Sequence, residues 1–179
     1  VSAVEHLHSK GMVHLDLKLD NLLLGDQFQL KVTDFDSSSM VDDLIIPCTG
    51  TPGYRAPEVR EGNIRRPKAA DIYSMGIILF ALLTGTLPYQ ESEDNSLDPL
   101  YVDMMYNKKN FWEVHSGKNQ QETLLTEDFK ELFEMMTTSL ASQRASIDAI
   151  KNSKWYQGPK YNDEELQAFM EKVFPDDSD

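Results

Sequence analysis

The sequence predicts a mainly α-helical fold, a helical bundle around one central buried helix with a short β-hairpin beside it. The most apolar stretch, residues 72–83, predicts that the helix over residues 68–84 is the buried one. Two runs, residues 22–24 and 28–32, surround a Gly-Asp turn and predict the hairpin. Apolar residues at i, i+3, i+4 and i+7 predict an amphipathic helix over residues 126–138, and they are Phe129, Leu132, Phe133 and Met136.

The remaining elements follow from apolar spacing and from residues that begin or end helices. One apolar stripe predicts a helix over residues 1–10, which Gly11 is well placed to end. An apolar face predicts a separate helix over residues 162–173, with Asn162 or Asp163 as its cap. We also expect a flexible loop at residues 37–47 and an acidic loop at residues 91–97. Two further helices should cover residues 100–107 and 146–152, and residues 176–179 should form a disordered tail.

Composition predicts one folded intracellular domain. Of the 179 residues, 40% are hydrophobic and 9% are aromatic, which is enough to build one substantial core. No apolar run approaches about 20 residues, so we expect no membrane span, and no N-terminal signal pattern is visible. The single cysteine, Cys48, excludes an internal disulfide and suits a reducing compartment, so we expect a cytoplasmic protein.

The net charge of −13 limits the kinds of partner that the chain can bind. Nucleic-acid binding requires clustered lysines and arginines, so we expect no nucleic-acid partner. A negative field attracts cations, which is compatible with a basic peptide substrate. Solubility alone explains the same charge, and this alternative remains open.

Four polar residues between positions 14 and 36 have the chemistry that phosphoryl transfer from a nucleotide requires. That reaction needs a carboxylate near the acceptor hydroxyl, a cation on the transferring phosphate, and oxygen ligands for magnesium. Asp16 offers the carboxylate, Lys18 the cation, and Asn21 with Asp34 the oxygen ligands. Their spacing fits a tight loop, a two-stranded turn and a return to the same site.

Five segments, in order along the chain, resemble landmarks of eukaryotic protein kinases. They resemble the catalytic loop, the magnesium loop, the end of the activation segment, the start of the central helix and a structural arginine. In this chain they read HLDLKLDN at 14–21, DFD at 34–36, GTPGYRAPE at 50–58, DIYSMGIIL at 71–79 and Arg144. The resemblance covers residues 1–156. It implies a C-terminal kinase lobe over residues 1–158, followed at 159–179 by an extension with an amphipathic helix and an acidic tail.

The resemblance implies a role for each candidate site residue, with ATP and Mg²⁺ as the cofactors. Asp16 would orient the substrate hydroxyl and finally accept its proton, and Lys18 would meet the transferring phosphate. Asn21 and Asp34 would hold magnesium, and Leu23 would form the floor under the adenine, above Ile78 and Leu82. Thr51 would tie the peptide-docking loop to Asp16 and Lys18.

Other residues would support this site structurally. The resemblance implies a buried ion pair between Glu58 and Arg144, and backbone N–H groups of the catalytic loop bonded to Asp71. It also places His14 against Phe35. His14 with Asp16, or His6 with His8, offers only two ligands each and no completing cluster, so we take the histidines as structural rather than metal-binding.

Three departures from the family pattern suggest unusual control. Leu15 replaces the arginine that normally pairs with a phosphate on the activation loop, and Ile46 and Pro47, the residues at that phosphate's usual position, cannot be phosphorylated. We therefore expect no control by the usual loop phosphorylation, with Thr49 as the alternative site. Asp36 replaces a glycine, and glycine reaches backbone angles that cost other residues energy.

The sequence therefore predicts a Ser/Thr protein kinase fragment that phosphorylates protein substrates when it is complete. Lys18 and the Gly-Thr-Pro at 50–52 favour the Ser/Thr class, and the calcium/calmodulin-dependent kinase group is the most similar. Asp20 occupies a position that often meets a substrate arginine. The alternative is a pseudokinase or a non-catalytic interaction module. No Gly-rich loop or strand lysine occurs in the 179 residues, so we expect the N-lobe of the same kinase as a partner and negligible activity from the chain alone.

Overall fold

The computed structural model describes residues 1–91, 98–117 and 124–174, and it is mainly helical, as predicted. The predicted acidic tail and nearly all of the acidic loop lie outside these ranges. The helices are α1 Ser2–Ser9, α2 Pro57–Arg60, α3 Pro67–Thr84, α4 Pro99–Tyr106, α5 Lys108–Gly117, α6 Glu127–Thr137, α7 Ile147–Lys151, α8 Lys154–Gln157 and α9 Asp163–Val173. The strands are β1 Met12–Val13, β2 Leu22–Leu24, β3 Leu30–Val32 and β4 Ser39–Met40, and short 3-10 turns cover Leu19–Asn21 and Asp26–Phe28.

Helix α3 is the central buried helix. A proline at its first position suits a helix start, and Gly85, with φ of +75°, provides the left-handed residue that ends it. Tyr73, Ile77 and Phe80 are completely buried. Among the described residues, α3 is the one helix long and apolar enough to cross a membrane, but 67% of it is buried inside the fold, as in the core helix of a globular domain.

Helix α6 packs closely against α3, and the four apolar residues that predicted α6 are each at most 1% exposed. Thr126 caps α6, because its hydroxyl accepts a hydrogen bond from the Phe129 N–H at 3.2 Å. The close approach requires a glycine in α3. A Cβ atom on Gly76 would lie 2.8 Å from Thr137 Cγ2 and 3.0 Å from Met136 Cβ.

Two small antiparallel sheets flank the loop that carries Asp16. Strands β2 and β3 form the predicted hairpin, with Leu22 opposite Val32. The second strand begins at 30 rather than 28, because Phe28 has a φ of +58° and its N–H closes a turn onto Gly25 O at 3.1 Å. Strand β4 pairs with β1, so part of the loop predicted at 37–47 is a strand.

The sequence patterns missed helix α5. Two of its residues, Phe111 and Trp112, are buried and join an aromatic cluster with Phe80 and Phe133. Its first turn is Lys-Lys-Asn, so it lacks the longer apolar stripe by which the other helices were recognised. The helix predicted at 162–173 is confirmed, and Asn162 rather than Asp163 caps it in a capping box with Glu165.

Candidate active site

The loop between β1 and β2 carries Asp16, and Asp71 of α3 fixes its backbone. The Asp71 carboxylate accepts the His14 N–H at 2.9 Å and the Leu15 N–H at 2.8 Å. The same carboxylate lies 2.8 Å from His8 Nε2, and Asp71 itself is completely buried. The predicted bonding of Asp71 to this loop is therefore confirmed, and the central helix directly anchors the loop.

Leu15 has a left-handed backbone with φ of +67°, a conformation that costs a residue with a Cβ atom about 1–2 kcal/mol. The Asp71 carboxylate holds the N–H groups of His14 and of Leu15 itself, and these two bonds fix the backbone on the N-terminal side of Leu15. The Leu15 side chain is 4% exposed and belongs to the hydrophobic core. Gly50 approaches the Leu15 carbonyl so closely that an added Cβ would lie 3.0 Å from the oxygen.

Asp16, Lys18 and Thr51 form a closed group of contacts. The Thr51 N–H and hydroxyl both donate to Asp16 Oδ1, at 2.8 Å and 2.7 Å. Lys18 Nζ lies 3.2 Å from Asp16 Oδ2 and donates to the Thr51 hydroxyl at 3.1 Å. The structure thus brings these three predicted residues together and joins the segment around Thr51 to the loop that carries Asp16.

The Asp16 carboxylate is held in its charged form. Partial burial by itself raises the pKa of Asp16, but the hydrogen bonds from Thr51 and Lys18 outweigh that effect, and the net pKa lies below the usual value. A carboxylate with a low pKa is a weak base. Its geometry therefore suits orienting a hydroxyl more than removing a proton early.

Asn21 and Asp34 lie at the base of the hairpin. The Asn21 amide nitrogen donates to the Asp16 carbonyl at 2.8 Å, which orients the side chain, and the Thr33 N–H donates to the Asn21 carbonyl at 3.0 Å. Asp34 follows Thr33 directly, has a φ of +64°, and its side chain is exposed. An amide oxygen and an exposed carboxylate are hard oxygen donors of the type that Mg²⁺ takes, so these residues fit that ion.

Among the residues that the structure describes, no histidine belongs to a cluster with acidic residues or the cysteine that could bind a metal ion. Within residues 1–91, 98–117 and 124–174, no group of three or more His, Cys, Asp or Glu side chains could hold a metal ion. The ring of His14 instead lies against Phe35, with centroids 5.1 Å apart, and its Nε2 lies 3.0 Å from the Thr33 carbonyl oxygen. The structural interpretation of His14 is confirmed.

Asp36, which replaces the family's glycine, has an ordinary backbone. The φ angle of Asp36 is not positive, whereas that of Asp34, two residues earlier, is. The expected backbone cost of a non-glycine residue at position 36 therefore does not arise in this conformation. The carboxylate of Asp36 is exposed, two residues from that of Asp34.

Leu23 lies on the face of the hairpin that points away from the helices. Its side chain is 53% exposed, whereas Leu22 lines a cavity of about 380 Å³ together with Ile78 and Leu82 of α3. Successive side chains of a β-strand point to opposite faces of the sheet, so Leu22 and Leu23 of β2 lie on opposite faces of the hairpin. The structure therefore presents Leu23 as an open apolar platform with Leu22 and α3 below it.

Two ion pairs brace the segment that contains Thr51. Arg144 donates two hydrogen bonds to the Glu58 carboxylate, at 2.6 Å and 3.0 Å, and its side chain is completely buried, so the predicted pair is confirmed. The second pair was not predicted. Glu91 accepts the Gly53 N–H at 2.9 Å and Arg55 Nε at 2.8 Å. Position 91 is 36 residues from 55, and no local pattern signals so distant a contact.

The mainly helical fold is consistent with a protein kinase-like domain, and comparison with known sequences agrees. Residues 1–156 match the protein kinase domain family, and the chain belongs to that family. It is 35% identical over 164 residues to CBL-interacting protein kinase 11 of Oryza sativa subsp. japonica, covering 89% of this chain and 30% of that protein. It is also 35% identical over 160 residues to CBL-interacting serine/threonine-protein kinase 24 of Arabidopsis thaliana, covering 88% of this chain and 33% of that protein.

A third relative comes from an organism that is not a plant. The chain is 34% identical over 158 residues to a probable serine/threonine-protein kinase of Dictyostelium discoideum, covering 87% of this chain and 17% of that protein. The chain thus spans a third or less of the length of these three relatives.

Proposed function

We propose that this chain is the catalytic lobe of a Ser/Thr protein kinase, which transfers the γ-phosphate of ATP to serine or threonine hydroxyls of proteins. The observation that carries the proposal is the pair of hydrogen bonds from Thr51 to Asp16 Oδ1, at 2.7 Å and 2.8 Å. These bonds hold the charged Asp16 carboxylate where the loop that carries Asp16 meets the segment around Thr51. Asp16 Oδ2 faces Lys18 and is the oxygen that would orient the acceptor hydroxyl and take its proton late in the transfer.

The other proposed roles follow from the chemistry of each side chain. Lys18 neutralises charge on the transferring phosphate, at the side of Asp16 where its ammonium group lies. Asn21 and Asp34 hold Mg²⁺ through an amide oxygen and a carboxylate. Bound Mg²⁺ supplies positive charge that neutralises the phosphates. Leu23 provides an apolar floor for the adenine ring, since its side chain is half exposed above the hairpin.

The half-exposed side chains of Leu23 and Phe35 support a second proposal, that a further lobe covers this face. ATP held by one lobe alone would be open to water, and electrostatic stabilisation of a phosphate is weak in water. We therefore propose that residues 1–158 work with an N-lobe of the same kinase, and that residues 159–179 are an extension. The 179-residue chain by itself should bind nucleotide weakly and transfer phosphate at a negligible rate.

We further propose that the kinase is cytoplasmic, resembles the calcium/calmodulin-dependent group and prefers basic peptides. Asp20 is exposed beside the loop that carries Asp16, where its carboxylate can pair with a substrate arginine. The net charge of −13 favours the approach of a basic segment. The lone Cys48 is exposed and unpaired by any disulfide, which suits a reducing compartment.

A second candidate function is a non-catalytic interaction module, and Asp36 is the observation that favours it. Its exposed carboxylate adds negative charge near the proposed magnesium ligands and can disturb the binding of ATP. Replacing Asp36 with glycine in the intact protein distinguishes the two candidates. A kinase is active before the change. If the Asp36 carboxylate is what prevents phosphotransfer, activity should appear only after it, and a large rise in turnover would identify Asp36 as a damper. A protein that is inactive both before and after the change is an interaction module for reasons other than Asp36.

The direct test is transfer of radiolabelled phosphate from ATP by an intact protein that contains this chain. We expect label on basic peptides with a serine or threonine acceptor and none on the matched tyrosine peptides. The isolated chain serves as the comparison. Turnover by the isolated chain comparable to that of the intact protein would refute the need for a second lobe, and label on tyrosine alone would refute the Ser/Thr assignment.

A further inference from the structure

A second cleft, of about 680 Å³, lies between α1, the start of α3 and residues 141–148. The residues that line it include none of those proposed above to bind ATP, Mg²⁺ or the acceptor hydroxyl. Its volume falls in the range of sites that hold a defined ligand. The phosphotransfer proposal therefore leaves this cleft without a role.

Three basic side chains line one wall of the cleft within four consecutive positions. They are Arg65, Arg66 and Lys68, and all three are exposed. None of them forms an ion pair with any of the residues that the structure describes. The one side-chain hydrogen bond that they form with the part of the chain that the structure describes is a long one of 3.3 Å, from Arg65 Nε to the neutral side chain of Asn63.

The other charged groups at the cleft do not neutralise this wall. Arg144 is already paired with Glu58, and Glu5 is paired with Lys151 at 2.6 Å. Asp148 is therefore the one acidic side chain of the lining without an ion pair among the described residues. His8 adds no negative charge, and its Nε2 is bonded to Asp71.

Such a concentration of positive charge contrasts with the rest of the chain. The chain as a whole carries 30 acidic and only 17 basic residues, yet three of its basic residues lie within four positions on this wall. Like charges this close repel one another, and an anionic ligand would relieve that repulsion. Two of the three are arginines, whose planar guanidinium groups match carboxylate and phosphate oxygens in bidentate geometry.

We propose that this cleft is a docking site for an acidic peptide segment of a partner protein, with carboxylates or phosphoserines that contact Arg65, Arg66 and Lys68. A short peptide fits the charge distribution better than a long polyanion does. A nucleic acid or an anionic membrane would extend beyond the cleft onto a chain of net charge −13, which repels it. The docking site is independent of the phosphotransfer proposal, because it uses other residues.

Fluorescence anisotropy of the 179-residue chain with labelled peptides tests the proposal. The probes are a short peptide of alternating glutamate and serine, the same peptide with phosphoserines, and a neutral peptide of alternating glutamine and serine. We expect both anionic peptides to bind, more weakly as salt is raised, and the neutral peptide not to bind. Comparing the two anionic probes shows whether carboxylate or phosphate is the preferred group.

Two matched triple variants locate the binding. Reversing the charge of the wall with Arg65→Glu, Arg66→Glu and Lys68→Glu should weaken binding about tenfold or more. Reversing three exposed lysines elsewhere, with Lys109→Glu, Lys154→Glu and Lys172→Glu, changes net charge equally and should leave binding within about twofold of the original. Circular dichroism confirms that both variants are folded, which we expect because all six side chains are exposed.

Three results would overturn the proposal. The first is no binding of either anionic peptide at low salt. The second is an equal loss of binding in the two triple variants, because a diffuse field rather than the cleft would then attract the peptide. The third is binding of single-stranded RNA or of phosphatidylserine vesicles through the same three residues more tightly than either peptide.

Discussion

Thr51 holds Asp16 by the same carboxylate oxygen through two hydrogen bonds, one from its backbone N–H at 2.8 Å and one from its hydroxyl at 2.7 Å. The two residues are 35 positions apart, so the contact fixes one segment of the chain against another. Since Lys18 Nζ contacts both residues, the position and the charge of the Asp16 carboxylate depend on the same two side chains, those of Thr51 and Lys18.

Replacing Thr51 with valine should raise the pKa of Asp16. Burial raises this pKa, and the Thr51 hydroxyl is one of the groups that lower it, so its removal leaves the opposing effect of burial in place. The backbone N–H of residue 51 remains, and the pKa should therefore rise without the loop being released. Titration of the Asp16 carboxyl carbon by NMR measures the change, and Thr49→Val is the control, since Thr49 is exposed.

The same interaction gives stability a defined pH dependence. The pKa of Asp16 in the folded chain is below its ordinary value of 3.8, so its carboxylate stabilises the fold fully above pH 3.8. That contribution is lost as the pH falls through the lower folded-state pKa. The Thr51→Val variant should lose less stability than the original chain over this acid range. An identical loss in both, measured by urea unfolding, would show that the bond does not couple to folding.

Breaking the ion pair between Glu58 and Arg144 should be costly. Arg144→Met leaves the Glu58 carboxylate largely buried without its partner, and we expect a loss of about 3–5 kcal/mol in the free energy of unfolding. The double variant Glu58→Gln with Arg144→Met should lose less, because no charge is left unpaired. Lys109→Met is the control: its ion pair with Glu113 is exposed and should contribute at most about 0.5 kcal/mol.

Adding one methyl group to Gly76 should destabilise the chain by about 1–3 kcal/mol, because α3 and α6 have no room for a Cβ atom there. Alanine has a higher helix propensity than glycine, so propensity alone would make the Gly76→Ala variant more stable. A fall in its free energy of unfolding therefore indicates that packing dominates. Gly117→Ala in α5 is the matched control, since a Cβ atom there meets nothing within 4 Å. Stabilisation of both variants in urea unfolding would contradict the packing at Gly76.

Activity of the intact protein should not require phosphate on the loop before Thr51. Leu15 is packed in the hydrophobic core and cannot pair with a phosphate, whereas an arginine could. Phosphatase treatment followed by a phosphotransfer assay and mass spectrometry checks this prediction. Stoichiometric phosphate on Thr49 or a neighbour, whose removal abolishes activity, would contradict it.

The sequence was a good guide where an element has a strong local signal. The apolar run in α3 and the apolar face of α6 predicted both helices, and the spacing of Asp16, Lys18 and Thr51 within a family pattern predicted residues that the fold brings together. Local sequence patterns failed to predict elements whose formation depends on tertiary contacts. Strand β4 forms because β1 lies beside it, and α5 is stabilised by aromatic packing on Phe80 and Phe133.

Backbone conformation was also beyond the reach of the sequence. The substitution at position 36 suggested strain, yet the non-glycine residues with a positive φ in the described part of the chain are Leu15, Phe28 and Asp34. Hydrogen bonds from the His14 and Leu15 N–H groups to the Asp71 carboxylate fix the first of them, and those contacts cross 57 and 56 positions of the chain. The contact of Glu91 with Arg55 crosses 36 positions, so only the folded chain reveals it.

Phosphotransfer by an intact protein carrying Asp16→Asn is the most direct test of the proposed chemistry. Asparagine keeps the shape of the side chain but loses the charge and the ability to accept a proton, so the rate should fall about 10²–10⁴-fold. Asp128→Asn, an exposed residue of α6, should leave the rate unchanged. Equal rates for Asp16→Asn and the original protein, in an assay where Asp128→Asn is fully active, would contradict the assignment of Asp16.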